Sequence, residues 1–304
     1  MRPIKCEPIY IESVWAGSRL TKIRHLDYKN IGICREICAY KGSQNKILNP
    51  EYHGLTFKEL IEDHHHELFG DSKDTQLIRV AYIDALEDLS IQVHPDNSTA
   101  EKIGDFGKNE SWYILDCDPG STIVVGTTIT DKDVLFEAAV QGTLEKYVNK
   151  IEVTPGDFVM VPAHMLHACG KNMLAIEIGS FGGITYRIYD YGRPRGLDLE
   201  KGFAILDPAL KSSLLHFPVV ERTSNSIRRA IHHPDFTTEI IDIYNFITLE
   251  TNGKYFILTC VDGNCEIMCV GEIFKLHYTE TILIPADCEP ITINGNCRLI
   301  RSMR

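Results

Sequence analysis

Three separated segments carry the side chains that could hold a divalent cation. Leu89-Ser-Ile-Gln-Val-His-Pro-Asp96 reads as extended. Side chains alternate along a strand, so Gln92 and His94 point together and Ile91 and Val93 point the other way. A solvated outer face would give the same alternation. Gly107-Lys-Asn-Glu-Ser-Trp-Tyr113 puts Lys108 and Glu110 on one face, with Glu110 leading into the apolar run Trp112 to Leu115. A carboxylate at the inner end of a strand needs a partner or a metal; a Lys108–Glu110 surface pair is the alternative. In Gly156-Asp-Phe-Val-Met-Val-Pro-Ala-His-Met-Leu-His-Ala168, a turn and a buried strand lead through Pro162 to His167. A lone histidine there is usually hydrogen-bonded core. Taken together, two imidazoles, one carboxylate and one amide suit zinc, iron or manganese with open positions.

Short strands must position these groups. Segments 76–83, 89–93, 111–115, 121–125, 150–154, 158–161 and 174–179 are rich in Ile, Val and aromatics. Pro119-Gly120 and Pro155-Gly156 punctuate them. Helices are expected at Thr56–Phe69, where Thr56 and Glu59 form a capping pair, at Asp131–Asn149 with Gly142 as a possible break, and at Leu197–Leu206. The predicted fold is mainly β: two β-sandwich or jelly-roll domains with a few inserted helices. The expected divisions are a metal-binding domain over 1–211, a polar linker over 212–233 and a smaller, metal-free β domain over 234–304.

A chain of 304 residues, 44% hydrophobic and 24% charged, can bury a sizeable core. Its net charge of -11 disfavours nucleic-acid binding, and no apolar run is long enough for a membrane helix. A soluble, cytoplasmic protein is expected, with its 10 cysteines as reduced thiols. His64, His65 and His66 are consecutive on a predicted helix and do not converge on one face, so they are read as helix surface.

The order of the motifs carries a resemblance. Gln92-x-His94-Pro95, Gly107-Lys108-x-Glu110-x-Trp112-Tyr113, Gly156…Pro162…His167 and Thr185-Tyr-Arg-Ile-Tyr-Asp190 resemble the type I mannose-6-phosphate isomerases of the cupin superfamily. The resemblance runs from about Ile9 to Leu206, includes Val14-Trp15-Ala16-Gly17, and fades in the C-terminal domain. It implies Gln92, His94, Glu110 and His167 as ligands of one Zn²⁺ per chain. It implies Arg187 as the catalytic arginine, Lys108 in the substrate pocket, and Asp190 and Tyr191 near it. The implied reaction interconverts mannose 6-phosphate and fructose 6-phosphate through an enediol. The base is left open between Asp190 and a metal-bound water, and Lys108, Arg187 and Arg193 are the cations available to a phosphate. His164 takes the place of a turn glycine and is read as a loop residue at the site mouth.

Some family positions differ. Only Gly32, Glu36 and Ile37 of an expected Gly-Glu-x-Trp-Glu-Ile-Ser segment are present, Ala81 replaces a lysine, and Ile178-Gly-Ser-Phe-Gly-Gly183 replaces a polar run. The ligand set is intact while parts of the sugar pocket differ. An isomerase or epimerase for another sugar, or a non-catalytic sugar-sensing cupin, is the alternative. The sequence leaves the oligomeric state open.

Overall fold

The computed structural model describes residues 1–304. The chain forms two compact units: Met1–Ile9, Cys34–Ala81 and Val219–Arg304 make one, and Tyr10–Ile33 with Tyr82–Pro218 the other. The expected boundaries at 1–211, 212–233 and 234–304 do not coincide with these discontinuous units. The expected linker also contains strand: Leu214–His216 pairs with Asp157–Val159, and Ser226–His233 pairs with Phe236–Asp242. Both are sheet-edge segments with few buried side chains, so their composition reads as loop.

The strands up to Pro218 are β1 (Ile9–Glu12), β2 (Ile31–Ile37), β3 (Arg79–Ala85), β4 (Ile91–Val93), β5 (Glu110–Cys117), β6 (Thr122–Thr127), β7 (Val148–Glu152), β8 (Asp157–Val161), β9 (His167–Ala168), β10 (Met173–Gly179), β11 (Tyr186–Tyr189) and β12 (Leu214–His216). They form a seven-stranded sheet ordered β1-β2-β3-β10-β5-β8-β12 and a five-stranded sheet ordered β11-β4-β9-β6-β7. Trp112, Ile114, Ile123, Val125, Val159, Val161 and Met173 share one core cluster, drawing on both sheets. Ile91, Val93, Val124, Ile188 and Phe203 form a second cluster. Helix α5 (Lys132–Val140; α1 to α4 are Arg19–Ile23, Phe57–Asp63, His65–Phe69 and Asn97–Ala100) packs here through Leu135 and Ala139, as does α6 (Leu199–Ile205).

The helix expected over Asp131–Asn149 ends early. Gly142 adopts φ 70, and Val148 onward joins β6 as strand β7. The helix expected over Thr56–Phe69 is two short ones, α2 and α3, meeting at His64, whose φ of -133 is not helical. The capping box predicted at Thr56 is present: Thr56 Oγ1 accepts from the Glu59 amide and Glu59 accepts from the Thr56 amide. Thr56→Ala should cost about 1 kcal/mol, measured by denaturant unfolding as a lower midpoint at unchanged slope.

The other unit is built on β13 (Ser226–His233), β14 (Phe236–Ile243), β15 (Phe246–Leu249), β16 (Phe256–Cys269), β17 (Glu272–Leu276), β18 (Thr281–Ile284) and β19 (Ile291–Met303). Strand β16 is long and runs unbroken over 14 residues. Its first half pairs with β18, its second half with β17, and β19 runs along it. The strand changes register between Cys260 and Asp262, followed by Gly263 at φ 74, where a Cβ would stand 2.3 Å from the Asn296 carbonyl oxygen. That bend wraps the sheet around Ile241, Leu258, Ile267, Ile284, Ile293 and Leu299. The ten cysteines are free thiols. No helix is long and apolar enough to cross a membrane.

Candidate metal centre

Sheet register assembles most of the site. In the five-stranded sheet Arg187 lies opposite Gln92, Gln92 opposite His167, and His167 opposite Val125. Cross-strand partners share a face, so arginine, amide and imidazole form one row. Ile91, Val93 and Ile188, on the other face, belong to the second cluster. The alternation read from Leu89–Asp96 is therefore real, and its polar face looks inward rather than to solvent.

Glu110 comes from the seven-stranded sheet, and backbone contacts bring it to the row. Lys108 donates its amide to the Pro95 carbonyl (2.9 Å) and Gly107 donates to Asn97 Oδ1 (2.9 Å). A Cβ on Gly107 would stand 2.3 Å from the Asn97 nitrogen, so only glycine lets this segment lie against the turn after His94. Asn109 Oδ1 accepts from the Ala163 amide (2.8 Å), and the His164 amide donates to the His94 carbonyl (2.8 Å). Three distant motifs are thus tied by main-chain bonds.

His94, Glu110 and His167 are fully buried, and their ligating atoms converge within 4.8 Å. The Nδ1 of His94 lies 2.8 Å from the Ile184 carbonyl, and that of His167 lies 2.8 Å from the Met165 carbonyl. Carbonyls only accept, so each Nδ1 carries the proton and each Nε2 presents a lone pair. The two Nε2 atoms are 3.1 Å apart, and Glu110 Oε1 stands 3.3 and 3.2 Å from them. Neither Glu110 oxygen has a well-directed hydrogen bond, although three nitrogens stand within 3.3 Å. Lone pairs facing one another across a buried space fit a divalent cation, which would satisfy them all. Gln92 Nε2 is 3.4 Å from His167 Nε2; an amide flip would present its oxygen instead.

Electrostatics keep the set ready for a metal. Burial first, then the Lys108 charge, lowers the His94 pKa to about 3, so the ring is neutral. Burial pushes the Glu110 carboxyl upward, but the adjacent Lys108 ammonium outweighs it and holds the carboxyl well below the usual carboxylate range. Lys108 Nζ lies 2.7 Å from Glu110 Oε2 and 3.3 Å from Glu177 Oε1. The Lys108–Glu110 pair is real, but buried.

Glu177 was missed from sequence. It faces Trp112 on β5, two residues from the Gly179–Glu110 pair and therefore on the same face. The available signal was one carboxylate in the apolar run Met173-Leu-Ala-Ile-Glu-Ile-Gly179.

The other predicted pocket residues have partners of their own. Arg187 donates through NH1 to the Gly196 carbonyl (3.0 Å), while its Nε is buried without a hydrogen bond. Asp190 is held by Arg195 (2.7 and 2.6 Å) and Arg193 (3.3 Å). Arg193 also grips Glu87 Oε2 (3.0 Å) and the Asp88 carbonyl (2.8 Å). Tyr191 packs against the second cluster. His164 is a turn residue with φ 70, its Nε2 3.5 Å from Asp96 Oδ1. Of the histidine run, His64 meets Glu67, His65 meets the Asp74 carbonyl and His66 is exposed, so no site forms there.

A β-sandwich presenting His, Glu and His from facing sheets is the arrangement of a metal-binding cupin. The family model "Mannose-6-phosphate isomerase, cupin domain" matches residues 226–304. Mannose-6-phosphate isomerase ManA of Bacillus subtilis is 29% identical over 99% of this chain and 98% of its own. The mannose-6-phosphate isomerase of Streptococcus mutans is 29% identical over 97% and 98%. The crystal structure of the mannose 6-phosphate isomerase from Bacillus subtilis superposes with a TM-score of 0.91 at 28% identity, covering 99% of both chains. Along its whole length the chain is similar to mannose-6-phosphate isomerases. The likeness spans the C-terminal unit as well, where the motif reading saw it fade.

Proposed function

We propose that the protein interconverts mannose 6-phosphate and fructose 6-phosphate through an enediol, with Zn²⁺ held by His94, Glu110, His167 and Gln92. The observation that carries this reading is the buried set of converging lone pairs, with Arg187 in register beside it. The bound ion supplies a Lewis acid for the sugar oxygens. The unengaged Arg187 Nε–H is a donor for the oxygen that becomes negative in the enediol. Moving a proton between C1 and C2 requires a base. Both Asp190 oxygens are held by arginines, whereas the Glu177 carboxylate contacts the Lys108 ammonium beside the ligand set. We therefore assign the proton transfer to Glu177 and Lys108 in place of Asp190. Lys108 and Arg187 orient the substrate, and Arg193 and Tyr191 belong to the surrounding scaffold. Solubility, a cytoplasmic location and a sugar-phosphate substrate accompany this reading.

A coupled assay with mannose 6-phosphate should show chelator-sensitive turnover. Arg187→Ala should lower kcat about 10²–10³-fold, the usual loss for one donor to a developing oxyanion. Turnover near wild type in Arg187→Ala would remove this residue from the reaction. Because Ala81 and the Ile178–Gly183 segment depart from the family pattern, glucose 6-phosphate and unphosphorylated mannose belong in the same screen. Faster turnover of either would replace mannose 6-phosphate as the substrate.

A further inference from the structure

We propose that the loop from Asp190 to Asp198 is a clamp that aims Arg187, and that Asp190 is the positioning residue holding the clamp shut. This rests on the role proposed for Arg187 above. The loop leaves β11 through a tight turn, in which the Arg193 amide donates to the Asp190 carbonyl (3.0 Å). Its two central residues, Tyr191 and Gly192, have φ 55 and 76. Glycine accepts that conformation; an aromatic residue rarely does, and persists there only when its surroundings enforce it. The enforcing contacts are present. The Tyr191 ring lies 5.0 Å from that of Tyr189, and the Arg193 guanidinium stands 5.5 Å from its centre.

Asp190, almost fully buried, grips both following arginines. Arg195 Nε and NH2 donate to its two oxygens, and Arg193 NH1 reaches Oδ1. Arg193 also anchors the loop to Glu87 and to the Asp88 carbonyl, in the segment leading to β4. The chain is thereby turned back so that the Gly196 carbonyl receives Arg187 NH1 (3.0 Å). The Asp198 amide then donates to the Arg187 carbonyl (2.7 Å), and Asp198 Oδ2 accepts from the Arg187 amide (3.3 Å). Arg187 is thus held at its main chain by Asp198 and at its guanidinium by Gly196. A group acting this way changes the orientation of another residue and takes no proton itself.

The test uses the metal-loaded enzyme. Asp190→Asn and Arg195→Ala should each lower kcat about tenfold or more, leaving KM within about threefold and metal content unchanged. Arg195→Lys should recover most of the Arg195→Ala loss. In the Arg187→Ala background neither substitution should add more than about twofold, because both act through the missing guanidinium. Losses that multiply, or full activity in both single variants, would overturn the proposal. So would loss of the acid limb of the pH–rate profile in Asp190→Asn, which would make Asp190 the base. Arg195 lies partly exposed, so Arg195→Ala decides the matter if Asp190→Asn does not fold. Arginine side-chain ¹⁵N NMR gives a readout independent of turnover. The Arg187 Nε–H signal should exchange faster with solvent and broaden in Arg195→Ala, and an unchanged signal would sink the clamp. If the wild type turns over no sugar, the functional reading fails while this last measurement still decides the clamp.

Discussion

Glu110→Gln is expected to remove the metal and lower turnover on the order of 10³-fold or more. The carboxylate is fully buried and is the sole anion among the four proposed ligands. Its charge offsets both a divalent ion and the Lys108 ammonium 2.7 Å away. An amide of the same shape offers a dipole in place of that charge, in a buried site where Coulomb interactions are strong. Losing the ion removes several kcal/mol of transition-state stabilisation, and each ~1.4 kcal/mol is tenfold in rate. Metal analysis and the coupled assay should be run on the same preparation, with circular dichroism to show that the fold persists. A full equivalent of zinc together with more than a tenth of wild-type activity would refute this reading of the site.

Asp242→Asn should have the largest effect on stability. Arg298 is fully buried on β19, directly opposite Asp242 on β14. Its Nε and NH2 donate to the two carboxylate oxygens at 2.7 and 3.0 Å. Arg228 (2.7 Å) and Arg222 (3.3 Å) add further donors. Removing one partner of a buried ion pair leaves an uncompensated charge and costs about 3–5 kcal/mol. Calorimetry should show a fall in Tm on the order of 10 °C, and a shift under about 2 °C would contradict the argument. The pH dependence has a definite sign. Burial raises the Asp242 pKa, but Arg298 and then Arg228 and Arg222 outweigh it, leaving the folded value below the unfolded one. The stabilisation is therefore complete above the unfolded carboxyl value of about 3.9 and is lost as pH falls through the folded value. Asp242→Asn should be less acid-sensitive than the wild type, in proportion to this one group.

The residues of the candidate metal centre were legible because period-two alternation and a polar residue inside an apolar run are local signals. Gln92 and His94 share a face whatever the strand pairs with. Glu110 and His167 stood out against apolar neighbours. The capping box at Thr56 was legible for the same reason, since its partners lie three residues apart. Glu177 escaped because its significance depends on Lys108, 69 positions earlier in the chain. The strands at 214–216 and 226–233 escaped because an edge strand buries little and so carries little hydrophobic pattern.

Asp190 and Arg193 mark where local reading stops. By type and position, either could serve a sugar phosphate. Their ionic partners are Arg195 and Glu87, and only the turn at Tyr191-Gly192 brings these charges together. The sequence by itself determined a mainly β chain, the three motifs and the donor types of a cation site, because these follow from neighbours a few residues apart. The tertiary structure decided which charges face the ligand row and which hold the scaffold. That choice is made by cross-strand register and turn geometry, which join residues tens of positions apart.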